Sequence, residues 1–440
     1  MINLFDTYHQ KSWDLHFSLL KSGYQHPTVV LEDNGWLPED VTSPYQFMTG
    51  YQLSQGEPLY FNQLAIPDFW EIRGNSQEAN VWDYHQRRAA IHYATPKHRR
   101  FIQQVDWFDK SGKIISSDHY NRKGYRFAQS IYDAKNGELL SKSYYDAQQK
   151  EVVVENYKTG DVIINYKQQV SIFPSQVAFY AYYLKEAGFQ LDRIFYNSLG
   201  KSFLTAFESK EAQNNILFWQ EGIGEQLPAN MTFLLDSKTV STQIAVQDSA
   251  VFKKIKSMVQ PKDLQHFSYL GFLYPFKPNQ SFYPEALIVT NSDQIEQVEE
   301  LIKDLPELTF NIAAVTEMSS KLVRLKTYDN VRLYPNSSPA SIEELFKKSS
   351  FYLDINYGRE LLSACRTAFE RELLLFSFDK TAHNRHYVSS SQVFQTNERE
   401  KLVATLRACL TDRYHWYSLL ENQREHANVS TIDFYQQFLG

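Results

Sequence analysis

Between residues 101 and 167 the chain repeats one pattern: FIQQVDWF, IISSDHYN, YRFAQSIYD, LLSKSYYD, EVVVENY and VIINYK, separated by DKSGK, RKG, AKNGE, AQQK and TGD. Runs rich in Val, Ile, Tyr and Phe between short glycine-bearing turns can pair only with their sequence neighbours, because a crossover to a parallel partner needs a dozen or more residues. This stretch therefore predicts an antiparallel meander, extending over about residues 58–168. It also accounts for much of the aromatic content, 30 Phe and 29 Tyr in 440 residues, since aromatic side chains fit a pleated surface.

Both flanks have a different rhythm. INLF, KSWDLHFSLLKSG and PTVVLEDNG predict strand, helix and strand, the opening of an α/β layer. After the meander, SQVAFYAYYLKEAG predicts a helix ending at Gly188. RIFYNS, NNILFWQ and TFLLDS predict strands, and VQDSAVFKKIKSMV another helix. A second α/β set follows, with strands EALIVTN, TFNIAAV, NVRLYP, FYLDIN and ELLLFSF around helices IEQVEELIKDL, SIEELFKKS and ELLSACRTAFE. Near-continuous apolar strands alternating with helices predict a parallel, doubly wound sheet. The expected fold is α/β of the GT-B type: two Rossmann-like domains, residues 1–57 plus 169–258 and residues 259–440, with the β-meander inserted in the first. Helices from REKLVATLRACL onward are expected to close the chain.

Charge and cysteine usage exclude several functions. A formal net charge of −6 supplies no basic field for coating nucleic acid. The two cysteines, Cys365 and Cys409, lack metal-type spacing and fit a reducing cytoplasm. MINLFDTYHQ has no basic region followed by an apolar core, so neither a secretory leader nor a membrane span is expected. No metal and no cofactor is expected.

The fold type raises the question of nucleotide-sugar chemistry, which needs devices to neutralise a diphosphate: glycine-rich turns, helix N-termini, Arg and Lys, or a metal ion. The loop after the first strand, DTYHQKSWD, has no glycine, and Tyr8 and His9 would hinder close backbone approach. His9 and His16 are expected to be structural. After the first strand of the second domain, where Arg and Lys would grip phosphates, stand Ser292, Asp293, Gln294 and Glu296. In LDINYGRELLSACRTAFERELLLFSF, residues 353–378, the place for a ribose-binding carboxylate falls near Ala364 or Cys365, and Glu360 and Glu370 are expected as exposed charges on different helix faces. The three losses together predict a cleft that does not turn over a nucleotide sugar. The alternative is an active glycosyltransferase with an atypical donor site.

Residues at predicted strand ends are the candidates for lining such a cleft, because open α/β sheets bind ligands there. They are Trp219, Gln220 and Glu221 after NNILFW, Tyr357 and Arg359 after LDIN, and His383 and Asn384 of HNRH. The H-x-x-H spacing has no third ligand and reads as a polar loop. HRR at 98–100 and RKG at 122–124 are expected as solvated charges flanking strands, with an acidic lipid or partner surface as the alternative.

The runs LEDNGWLPEDVTSPYQFMTG, ILFWQEGIGEQLPANM, ALIVTNSDQIEQVEEL, NIAAVTEMSSKLV and FYLDINYGRELLSACRTAFE together resemble the GtfB-type glycosyltransferase-stabilising subunits of the accessory Sec system. The resemblance covers essentially the whole chain. It implies a noncatalytic subunit that stabilises and activates a related GtfA-type catalytic glycosyltransferase, the enzyme that places N-acetylglucosamine on serine-rich repeat adhesins. It further implies that the subunit helps hold the Ser/Thr-rich acceptor and is cytoplasmic, with peripheral membrane association among the expectations. The meander is expected to dock the catalytic subunit, and the seven strand-end residues to contact the acceptor.

Overall fold

The computed structural model describes residues 1–209, 212, 214–236 and 242–440. The chain forms two compact units, Met1–Leu270 and Gly271–Gly440.

In the first unit a seven-stranded sheet is parallel throughout. Its spatial order is Phe267–Tyr269, Thr242–Val246, Asn215–Trp219, Ile194–Tyr196, Ile2–Phe5, Thr28–Val30, Val41–Thr42. Strands Ile2–Phe5, Ile194–Tyr196 and Asn215–Trp219 are buried along their whole length, as a sheet covered on both faces requires. Helix Gln176–Glu186 begins where the Ser175 hydroxyl accepts the Ala178 amide, and it buries Phe179, Tyr180, Tyr183 and Leu184. The run TFLLDS departs from expectation. Thr232–Asp236 lies in helix Ala229–Asp236, with Met231 and Leu234 buried one turn apart, while Ser237 is outside the described residues. Three apolar residues in a row are too few for periodicity to separate strand from helix.

The insertion is a ten-stranded antiparallel sheet in strict sequence order, from Glu71–Gly74 to Gln169–Phe173. Its last strand lies beyond the boundary expected at 168. Lys167 and Gln168, both in the left-handed region (φ 51° and 64°), form a two-residue hairpin that pairs Tyr166 with Gln169. A hairpin of this type normally advertises itself with Asn or Gly, and this one does not. The parallel sheet likewise continues to Tyr269, past the expected 258.

The insertion shares one hydrophobic core with the parallel layer, and two polar clusters stand out along the seam. Glu155, 2% exposed, accepts hydrogen bonds from Tyr45 (2.5 Å), Gln176 (2.6 Å) and Tyr157 (2.9 Å), joining the sheet to helices Pro44–Thr49 and Gln176–Glu186. The hairpin tip RKG forms the second. Lys123 Nζ donates to the carbonyls of Tyr51 (3.1 Å) and Ser54 (2.5 Å), and Arg122 Nη1 to that of Leu37 (3.1 Å). Gly124 has φ +83°, and a Cβ there would lie 2.4 Å from the Glu57 carbonyl oxygen. Arg122 and Lys123, expected as solvated charges, are thus anchors, because each cation meets carbonyls of the neighbouring loop.

The second unit carries a six-stranded parallel sheet. Its order is Val331–Tyr334, Thr309–Ala314, Glu285–Thr290, Phe351–Asp354, Leu374–Phe378, Val393–Phe394. Helices Val298–Asp304 and Arg399–Thr411 bury their apolar stripes against one core with the strands. Two doubly wound parallel sheets and an antiparallel insertion constitute the α/β, GT-B type fold expected from the sequence.

Candidate functional site

At the carboxyl edge of the first sheet, Ile2–Phe5 lies between Ile194–Tyr196 and Thr28–Val30, the switch point where a crevice opens. The Asp6 carboxylate accepts the amides of Lys201 (3.2 Å) and Ser202 (2.5 Å), capping helix Lys201–Glu208 in place of a ligand. Glu32 pairs with Lys201 Nζ at 2.7 Å. Glu221 Oε1 accepts the Ser198 hydroxyl (2.7 Å) and the Leu199 amide (3.3 Å). These groups, with His9 and Lys11, wall a cavity of about 600 Å³. With Glu32 paired to Lys201 and Asp6 capping a helix, Glu221 is the wall carboxylate best placed to accept a hydroxyl donor, and the net charge of this wall stays negative against Lys11 and Lys201. Burial, and then Lys11, lower the His9 pKa, so its ring is neutral near pH 7.

Of the three candidates on this edge, only Glu221 is exposed. Trp219 is 0% exposed and belongs to the hydrophobic core, so it cannot stack on a ligand. It ends a strand whose five residues are all buried. Gln220 lines the cavity, but its side chain is already engaged: Nε2 donates to the carbonyl of Lys11 (2.9 Å) and to Gln247 (2.8 Å), while Oε1 accepts from Asn197 (3.2 Å). It spaces three loops and leaves little capacity for a ligand.

The corresponding switch point of the second sheet lies between Glu285–Thr290 and Phe351–Asp354, and the loops leaving these strands pair with each other. The loops that follow these strands form an antiparallel bridge, Ile295 with Asn356. The Glu296 amide donates to the Ile355 carbonyl (2.8 Å), and the Tyr357 amide to that of Gln294 (2.9 Å). The Tyr357 hydroxyl donates to the Glu296 carboxylate. Gly358 permits the approach: a Cβ there would lie 2.1 Å from Asn291 Oδ1.

Asp354, buried at the end of its strand, holds the neighbouring loops. Its carboxylate accepts His383 Nδ1 (2.5 Å) and the His383 amide (2.7 Å), while His383 Nε2 donates to the Gly358 carbonyl (2.5 Å). With both ring nitrogens donating, the imidazolium is favoured. The Asp354 hydrogen bond, supported by Gly358, raises the His383 pKa to about 9. His383 is therefore a fastening between loops and not an open ligand contact. Asn384 Oδ1 accepts the His386 amide at 3.2 Å, and His386 Nε2 is bonded to the Tyr274 hydroxyl at 2.9 Å. Among the described residues no group of three or more His, Cys, Asp or Glu is placed to hold a metal. Tyr357 and Arg359 are exposed, and Asn384 is half-buried.

The carboxylates of residues 353–378 also differ from expectation. Leu362 and Ser363 lie in the left-handed region (φ 53° and 51°), so the helix spans Ala364–Glu370 instead of starting at Glu360. Glu360 accepts the Cys365 amide at 3.0 Å and caps that helix, while Glu370 pairs with Arg366 at 2.6 Å. Ala364 and Cys365 are buried. The Cys365 thiol donates to Asp354 at 3.5 Å, and burial together with Asp354 pushes its pKa up. Sequence reasoning missed Asp354 and Glu155. Each had a signal: an acid ending an otherwise apolar strand, and an acid with the inward parity of Val153 in EVVVENY.

Family models match the chain in four consecutive parts: GtfB N-terminal domain (residues 2–48), GtfB middle domain (70–174), GtfB third domain (176–258) and GftB/GlyA-F C-terminal domain (286–423). The UDP-N-acetylglucosamine–peptide N-acetylglucosaminyltransferase stabilizing protein GtfB of Streptococcus gordonii is 42% identical, over 100% of this chain and 98% of its own. A chain in the crystal structure of a GtfA/B complex bound to UDP and GlcNAc superposes with a TM-score of 0.93 at 42% identity, covering 100% of this chain and 99% of that one. The pneumococcal O-GlcNAc transferase GtfA, in complex with UDP and GlcNAc, shares the fold alone, with a TM-score of 0.53 at 13% identity over 100% of this chain and 98% of its own.

Proposed function

Because the chain belongs to the GtfB family of glycosyltransferase-stabilising proteins, we propose that it is the noncatalytic subunit of a protein O-GlcNAc transferase, stabilising and activating a GtfA-type catalytic partner. The observation that carries the noncatalytic part is the main-chain bridge across the second sheet's switch point. A nucleotide sugar would have to displace these backbone hydrogen bonds, and the acidic Asp293 and Glu296 beside them would repel its phosphates.

Its substrate role is to hold the Ser/Thr-rich adhesin before export, in the cytoplasm and at most peripherally attached to the membrane. No helix among the described residues is long and apolar enough to span a bilayer. Acceptor contact is assigned first to the crevice of the first unit, where Glu221 and its neighbouring carboxylates can accept hydroxyl protons. Tyr357, Arg359 and Asn384 are assigned to the acceptor from the second unit. Trp219, Gln220 and His383 support these surfaces from behind. The insertion, residues 58–168 together with the strand that follows, is the proposed dock for the catalytic subunit, its position fixed by Glu155 and the 122–124 hairpin tip.

Co-expression tests the reading. The catalytic subunit made with this chain should copurify with it and survive heating or proteolysis that removes the subunit made alone. A catalytic subunit equally soluble and active by itself, with no complex recovered, would overturn the proposal.

A further inference from the structure

The two edges of the ten-stranded sheet differ in character. The first edge strand, Glu71–Gly74, carries exposed Glu71 and Arg73, paired to each other at 2.8 Å. Charges of this kind keep an open edge from pairing with another chain. The other edge strand, Gln169–Phe173, has the sequence QVSIF, with no charge and with Val170 and Ile172 each 67% exposed. It pairs on one side only, with Val162–Tyr166. Its outward row of backbone groups is open to a further strand.

An apolar stripe leads to this edge. Ile172 stands opposite Ile163, and Ile163 opposite Val154, so the three share one face, as does Val170 two residues before Ile172. Val162 and Ile164, of opposite parity, are buried in the core, so the stripe looks away from it.

We infer that Gln169–Phe173 is a strand-addition site, pairing edge to edge with an antiparallel sheet of the catalytic subunit while the stripe Val154, Ile163, Ile172 and Val170 packs beneath the joint. The inference rests on the proposed binding of a catalytic subunit. That occupant is favoured because the pneumococcal GtfA shares this fold over the full length of the chain and so offers a comparable sheet. Edge pairing needs matching backbones and no matching side chains, which suits partners related by fold at 13% identity. An uncharged strand also presents nothing to repel an incoming one.

The test uses the full-length chain with Val170→Lys and Ile172→Lys, singly and together, in binding measurements against the purified catalytic subunit at fixed salt. The double variant should bind at least tenfold more weakly with an unchanged melting curve, because both side chains already face solvent. Glu71→Lys on the opposite edge should bind within twofold of wild type. In the wild-type complex, amide hydrogen exchange should slow at residues 169–173, a readout that holds even where a variant fails to fold. Wild-type affinity in the double variant, or no added protection at 169–173, overturns the inference and leaves the proposed function standing. Failure of the wild-type chain to bind at all overturns both. A dimer of this chain alone that Ile172→Lys dissolves also overturns it, by making a second copy the occupant.

Discussion

At the residue scale, His383 carries a proton that its surroundings require. Both ring nitrogens donate, one to Asp354 and one to the Gly358 carbonyl, and the pKa is raised from 6.5 to about 9. A raised folded-state pKa contributes stability that is complete below the unfolded value and disappears as pH rises through the folded one. Urea unfolding of the second unit should therefore be most resistant below about pH 6.5 and weaken through pH 9. His383→Ala should abolish this pH dependence and cost about 3 kcal/mol, since it leaves a buried carboxylate without its cation. A variant with unchanged stability and an unchanged pH profile would show that the pair holds nothing. Gly358→Ala addresses the adjacent approach of the loops. Its Cβ would press on Asn291 Oδ1, and a loss of about 1–2 kcal/mol in the same melts is expected.

At the element scale, the insertion and the parallel layer share one hydrophobic core, and a buried carboxylate and a hairpin tip fix its polar seams. Glu155→Ala should cost about 3 kcal/mol, because Tyr45, Tyr157 and Gln176 lose a shared acceptor. In denaturant it should separate the unfolding of the sheet from that of the layer, seen as two transitions in tyrosine fluorescence and circular dichroism. A single transition at the wild-type midpoint would contradict the role assigned to Glu155. The same elements show what a sequence discloses. Strands between glycine turns were legible because glycine marks left-handed backbone. The last hairpin was not, because Lys167 and Gln168 adopt that conformation without a glycine and without the second, longer apolar run that marked the glycine-free turn AQQK. The parallel strands were legible from continuous apolar runs, whereas TFLLDS was too short to assign. At the site, the pattern of continuous apolar runs located Glu221 and Tyr357 in the loops that follow strands Asn215–Trp219 and Phe351–Asp354. It did not show that Trp219 faces the core or that Gln220 and His383 are saturated, since those outcomes depend on Lys11, Gln247 and Asp354, partners far away in sequence.

At the scale of the whole molecule, each parallel sheet keeps the switch point that its topology creates, and the two are used differently. In the first unit a cavity of about 600 Å³ remains open, with walls rich in carboxylate. In the second, the loops meet each other across the switch point. Under the proposed function, the first crevice presents a hydroxyl-bearing acceptor, while the second switch point is spanned by internal hydrogen bonds. That division explains why family resemblance and fold point toward a transferase while the groups that would grip a diphosphate are absent from Ser292–Glu296. The central claim is thus that transfer chemistry belongs to the partner. The most direct measurement is UDP release from UDP-N-acetylglucosamine with a Ser/Thr-rich acceptor peptide, for this chain alone, the catalytic subunit alone, and the two together. The account predicts no release above background from this chain alone and a rate for the pair well above that of the catalytic subunit by itself. Acceptor-dependent UDP release by this chain alone would contradict it.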